Sequence, residues 1–142
     1  MQQSNRKCVK LTYSKHNDTH FVQQQDWQTS KATNESRSIR LVNMFTKNAG
    51  QFLEYDDGLP SSGPAPLVIL HTDYTNIMVQ YSCKEYGGSA VWNRRKQEYY
   101  SILTRNLNYN DLDKFSNAFD KLRSLSPSVD MNNLVIFSNQ QC

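Results

Sequence analysis

Short strand-forming runs recur along this chain, parted by turn-forming clusters, and that recurrence limits its fold more than any other feature. The tightest case is "PLVIL" (Pro66 to Leu70) followed by "IMVQYSC" (Ile77 to Cys83), with "TDYTN" (Thr72 to Asn76) between them. Val, Ile and Tyr suit a pleated, half-buried surface, and two such runs about a short polar segment read as a hairpin. Asp73 suits the turn because its short carboxylate can bond nearby backbone N–H groups. "CVKLTYS" (Cys8 to Ser14) alternates cleanly, with Val9, Leu11 and Tyr13 on one face and Lys10, Thr12 and Ser14 on the other. Further strands are read over Phe21 to Trp27, Ser38 to Phe45, Gln51 to Tyr55 and Gln97 to Thr104. "DDGLPSSGPAP" (Asp56 to Pro66) is a strand connection rather than a domain linker, since neither side could fold alone.

The pattern changes once. "NDLDKFSNAFDKLRSLSP" sets Leu112, Phe115, Phe119, Leu122 and Leu125 near one helical stripe. Asn110 can cap its start, Asp111 and Asp113 suit the positive end, and Pro127 follows the stop. "NLVIFS" (Asn133 to Ser138) is a last short strand. About seven strands, then a helix and a strand, predict a mainly β fold: an antiparallel up-and-down barrel with an appendage, one domain over residues 1–142.

Composition agrees with strands that have one apolar face each. Only 37% of residues are hydrophobic and the mean hydropathy is −0.74, too polar for a sheet buried on both faces. The net charge of +3 is too slight to imply a nucleic-acid partner, and Arg94-Arg95-Lys96 reads as a solvated strand end or loop. No run approaches the ~18 apolar residues of a membrane-spanning helix. The start, "MQQSNRKC", lacks the apolar stretch of a signal peptide, which leaves a mature or trimmed chain or a cytosolic one. Cys8, Cys83 and Cys142 show no metal-ligand spacing, so no zinc or other metal site is expected. Their wide separation suits disulfides and an oxidising compartment. The sequons at Asn17 and Asn34 agree with secretion as glycosylation sites. An odd cysteine count leaves one thiol unpaired.

"TDYTNIMVQYSC" resembles the second signature of the lipocalins, a Thr-Asp-Tyr hairpin between the sixth and seventh barrel strands. "ILTRN" (Ile102 to Asn106) resembles their third signature, an Arg ending the eighth strand. "KCVKLTYS" is similar to the second strand of apolipoprotein D and the insect bilin-binding proteins. The resemblance spans Lys7 to Cys142, and on its numbering about seven of eight barrel strands are present. The family's Gly-x-Trp on the first strand has no counterpart, since Trp27 lacks the Gly and Trp92 lies far downstream. By the family's pattern Cys8 bonds Cys142, Cys83 is left single, and Arg105 lacks the ring it would cover. An N-terminally incomplete chain accounts for all three; a natural seven-strand form is the alternative. Either leaves the strands around Val9 and Tyr100 as open edges, which with Cys83 offer routes to a dimer.

A barrel of this size is just wide enough for one small ligand. Alternation points Leu11 and Tyr13 inward and Cys8 outward. The resemblance implies Leu67, Ile69, His71, Met78, Gln80 and Tyr99 inward as well. Leu41 and Phe52 join the candidate lining with register unsettled. Such a lining, apolar with a few polar tips, is the make-up of a small-molecule site. The plainer readings are that Ile69 and Met78 are core, that His71, His16 and His20 are exposed beside turns, and that Asp73 and Tyr74 only shape the hairpin. No nucleophile has a base in reach, so neither an enzyme nor a cofactor is expected. The resemblance implies a secreted carrier of a small hydrophobic ligand of the lipid, retinoid or bilin class. The alternatives are a protease-inhibitor-like lipocalin acting through its loops, or an inactive truncated isoform.

Overall fold

A computed structural model describes residues 2–29, 35–58, 64–86, 95–106, 112–127, 129–130 and 135–138. The predicted runs become β1 (Gln2–Lys15), β2 (His20–Thr29), β3 (Ser36–Phe45), β4 (Gln51–Asp56), β5 (Ala65–Thr72), β6 (Ile77–Tyr86) and β7 (Arg95–Thr104). Helix α1 (Leu112–Leu125) and strand β8 (Val135–Ser138) follow. Asp113 in the first turn of α1 and Arg123 in the last complement the helix dipole. The expected caps, Asn110 and Asp111, lie outside the described residues.

Each of β1 to β7 pairs antiparallel with its sequence neighbours, and the sheet runs in the order β7-β6-β5-β4-β3-β2-β1-β8. It curls into a half-barrel. The curl brings non-neighbouring strands together on the inner face: the Phe21 and Phe52 rings, on β2 and β4, lie 5.0 Å apart. Among the described residues the ladder does not return from β7 to β1, so the cylinder is not closed there. The edge beside β1 is nevertheless not bare, contrary to expectation. β8 lies parallel against it, pairing Gln2 with Val135, Gln3 with Ile136 and Lys7 with Ser138. At the bulge between Lys7 and Lys10, Cys8 has a φ of 54°, a left-handed value uncommon for a residue other than glycine.

The apolar core lies outside the curl. Ile77 and Val79 of β6 pack with Ala118 and Leu122 of α1, joined by Leu70, Tyr100, Ile102, Phe115 and Val129. The helical stripe is therefore centred on Ala118 and Leu122, while Leu125, in the last turn, stands 48% exposed. Small Ala118 lets α1 lie close on the strands. Burying these side chains, at about 25 cal/mol per Å² of apolar surface, anchors α1 to β5–β7.

Candidate functional site

Residues opposite one another in an antiparallel pair share a face, so register carries the inner face from strand to strand. Tyr13 faces Gln23 and Leu11 faces Gln25. Gln23 faces Leu41, and Phe21 faces Asn43. Asn43 faces Glu54, and Phe45 faces Phe52. Phe52 then faces Leu67, Leu67 faces Ser82 and Ile69 faces Gln80. Finally Met78 faces Leu103 and Ser82 faces Tyr99. Nine of the ten predicted lining residues (Leu11, Tyr13, Leu41, Phe52, Leu67, Ile69, Met78, Gln80 and Tyr99) thus share one face.

The tenth does not. A bulge between Ile69 and His71 sets His71 opposite Val79, on the helix side. The inward expectation for His71 is corrected by that one-residue slip, which moves a side chain to the other face.

One end of the inner face is aromatic. Phe21, Phe45 and Phe52 sit 5.0–5.7 Å apart, centroid to centroid, and Tyr13 lies 6.2 Å from Phe21. The next inward position on each Phe-bearing strand is polar and buried: Gln23 is 1% exposed, Asn43 0% and Glu54 4%. Gln80 and Ser82 on β6 are buried too. Sequence alternation could have found Gln23, Asn43 and Glu54, because each lies two residues from an inward Phe. They were missed because polar residues in a strand read as solvent-facing.

Glu54 pairs with Lys84, Oε1 to Nζ, at 3.3 Å across the curl from β4 to β6. Burial pushes the Glu54 carboxyl above its ordinary value, and the Lys84 cation only partly offsets that. Tyr13 is part-exposed overall, yet its phenol is held above the usual range, first by desolvation and then by the charge of Glu54. This face therefore holds an ion pair and several amides on an otherwise apolar ground.

The β5–β6 turn is structural, as expected of Asp73. Its Oδ1 accepts backbone N–H groups from Thr75, Asn76 and Ile77 at 3.0, 2.7 and 2.8 Å. The Thr72 hydroxyl donates to the Ile77 carbonyl and accepts from the Tyr74 N–H. Those backbone donors, with Lys114 at 3.4 Å, hold the Asp73 carboxyl well below the usual carboxylate range. Arg105 donates through Nη2 to the Tyr74 carbonyl and through its backbone N–H to that of Asn76. A cation–π contact occurs elsewhere: the Arg6 guanidinium lies 4.4 Å from the Trp27 ring centre.

Cys8 is disulfide-bonded, and Cys83 is free and buried. A covalent dimer through Cys83 would require that thiol to become accessible. Cys142 and Asn34 lie outside the described residues. Asn17 lies exposed in the β1–β2 turn, its Oδ1 accepting the N–H groups of Thr19 and His20. Among the described residues no three His, Cys, Asp or Glu side chains group as metal ligands. No helix among them is long and apolar enough to cross a membrane.

With the curled sheet and its inner face established, solved structures can be compared. Lobster apocrustacyanin A1 superposes with a TM-score of 0.70 at 21% identity, over 94% of this chain and 67% of that one. Apocrustacyanin C1 gives 0.70 at 22% identity, over 96% and 69%. H1 crustacyanin from the lobster Homarus americanus gives 0.71 at 21%, over 99% and 70%. The fold is of lipocalin type. No family model matches the sequence, and no curated protein matches it either. The lipocalin-type fold gives the inner face its meaning: it is the side that a full barrel of this kind encloses.

Proposed function

We propose that this chain is a secreted lipocalin of the apolipoprotein D and bilin-binding type, which binds and carries a small hydrophobic molecule on the inner face of its curled sheet. The observation that carries this reading is the agreement between the lining residues and the fold. Nine lining residues chosen from the sequence share one face by register, and the fold that presents them matches the crustacyanins. The driving force is apolar burial, about 25 cal/mol per Å² removed from water. Leu11, Leu41, Phe52, Leu67, Ile69 and Met78 supply the apolar wall, with Tyr13, Gln80 and Tyr99 at its polar points.

The disulfide at Cys8 supports an oxidising compartment. Cys142 is its proposed partner, and Asn17, exposed in its turn, and Asn34 are the proposed glycan sites. The test is titration of the folded protein with retinoids, fatty acids and bilins while following tryptophan and tyrosine emission. Saturable quenching by at least one class is the expected result. A flat response to every class would overturn the reading.

A further inference from the structure

Inside the proposed site, polar atoms are buried without any hydrogen-bond partner in the protein. They are Gln23 Oε1, both amide atoms of Asn43, Gln80 Oε1 and Ser82 Oγ. All four side chains are at least nine-tenths buried, at 1%, 0%, 7% and 8% exposure. Register places all of them on the inner face. Buried polar groups in folded proteins are ordinarily satisfied, and each one left without a partner is destabilising. Four such side chains lie on one face, beside the Glu54–Lys84 pair.

The arrangement also selects a chemistry. Three of the open atoms are amide oxygens, which accept and cannot donate. They call for a hydrogen-bond donor. A carboxylate brings none, and it would have to approach the buried Glu54 carboxyl, whose cation is already engaged at 3.3 Å. A hydrocarbon would satisfy none of them. A hydroxyl donates to an amide oxygen and can accept from Asn43 Nδ2 or Ser82. The aromatic cluster of Phe21, Phe45 and Phe52, one inward step away, provides the apolar ground for the rest of the molecule.

We infer that the ligand is a neutral apolar alcohol, whose hydroxyl is held among Gln23, Asn43, Gln80 and Ser82. This inference rests on the carrier reading above and narrows it. The test is displacement of the fluorescent reporter N-phenyl-1-naphthylamine by three molecules of one skeleton: farnesol, the hydrocarbon farnesene, and farnesoic acid. Farnesol should bind about tenfold more tightly than either of the others, the worth of one or two well-placed hydrogen bonds. Asn43→Leu and Gln80→Leu should each bring farnesol toward the affinity of farnesene while leaving the melting temperature unchanged or higher. A merely structural role for these amides would instead lower the melting temperature and leave the ratio intact. Equal affinity for farnesol and farnesene, or tighter binding of the acid, overturns the alcohol inference and leaves the carrier reading standing. Failure of the reporter and all three molecules to bind overturns the alcohol inference, and the titration with retinoids, fatty acids and bilins decides the carrier reading separately. The ligand comparison uses the unaltered chain, so it decides the question whether or not the variants fold.

Discussion

The two faces of this sheet are buried by opposite means. On the outer face, Ile77 and Val79 meet Ala118 and Leu122, and the contact is apolar. On the inner face, Gln23, Asn43, Glu54, Gln80 and Ser82 are buried together with Leu41 and Leu67. Val79 and Gln80 are consecutive residues of one strand, so a single backbone serves both. The outer face contributes stability, through apolar area removed from water. The inner face gives some of it back, because desolvated amides and a buried carboxylate favour the unfolded chain unless something pairs with them. Departures from a purely apolar interior are where function is to be sought.

That contrast can be broken most forcefully at Leu122. Replacing this fully buried side chain by Ala should lower the unfolding free energy by about 2–5 kcal/mol in urea titration, with reporter affinity unchanged at the inner face. A smaller loss is expected at the β5–β6 turn. Asp73→Ala removes the acceptor of three backbone N–H bonds and should lower the melting temperature at neutral pH.

The two carboxylates sharpen the comparison by their signs. The Asp73 carboxyl is held below its ordinary value of 3.8, so its stabilisation is full above that value and is lost as the pH falls beneath it. The parent chain should lose stability to acid in this range more steeply than the Ala variant does. Glu54 is shifted the other way, upward from 4.5. Its contribution favours the fold in acid and is lost as the pH rises through the folded value. The melting temperature of Glu54→Gln relative to the parent should therefore climb as the pH rises above 4.5. A constant difference would refute a raised Glu54. The smallest effect is expected at Tyr74, which is 83% exposed and holds a φ of 60°. Tyr74→Gly should stabilise by about 1 kcal/mol through relief of that left-handed backbone, leaving ligand affinity untouched.

What could be read in the sequence was whatever depends on local period. Alternation in "CVKLTYS" and the hairpin about Asp73 pointed to strands that the fold contains as β1, β5 and β6. What could not be read depends on partners distant along the chain. The bulge that turns His71 toward the helix side adds no residue type that marks it. A stripe read on Leu and Phe passes over Ala118, which stands at the centre of the helix contact. Gln23, Asn43 and Glu54 obeyed the same alternation as their aromatic neighbours, yet polarity argued against burial. Local preference and tertiary placement disagree at those three positions, which lie in the proposed site.

The parallel pairing of β8 with β1 has a consequence for biosynthesis. β1 leaves the ribosome long before β8, and the border they share has no shield until the segment through Ser138 has emerged. Until then a nascent chain carries an unprotected strand edge, open to capture by other chains. This border of the sheet is therefore completed only when β8 is made, and holdase chaperones would find their natural client in that interval.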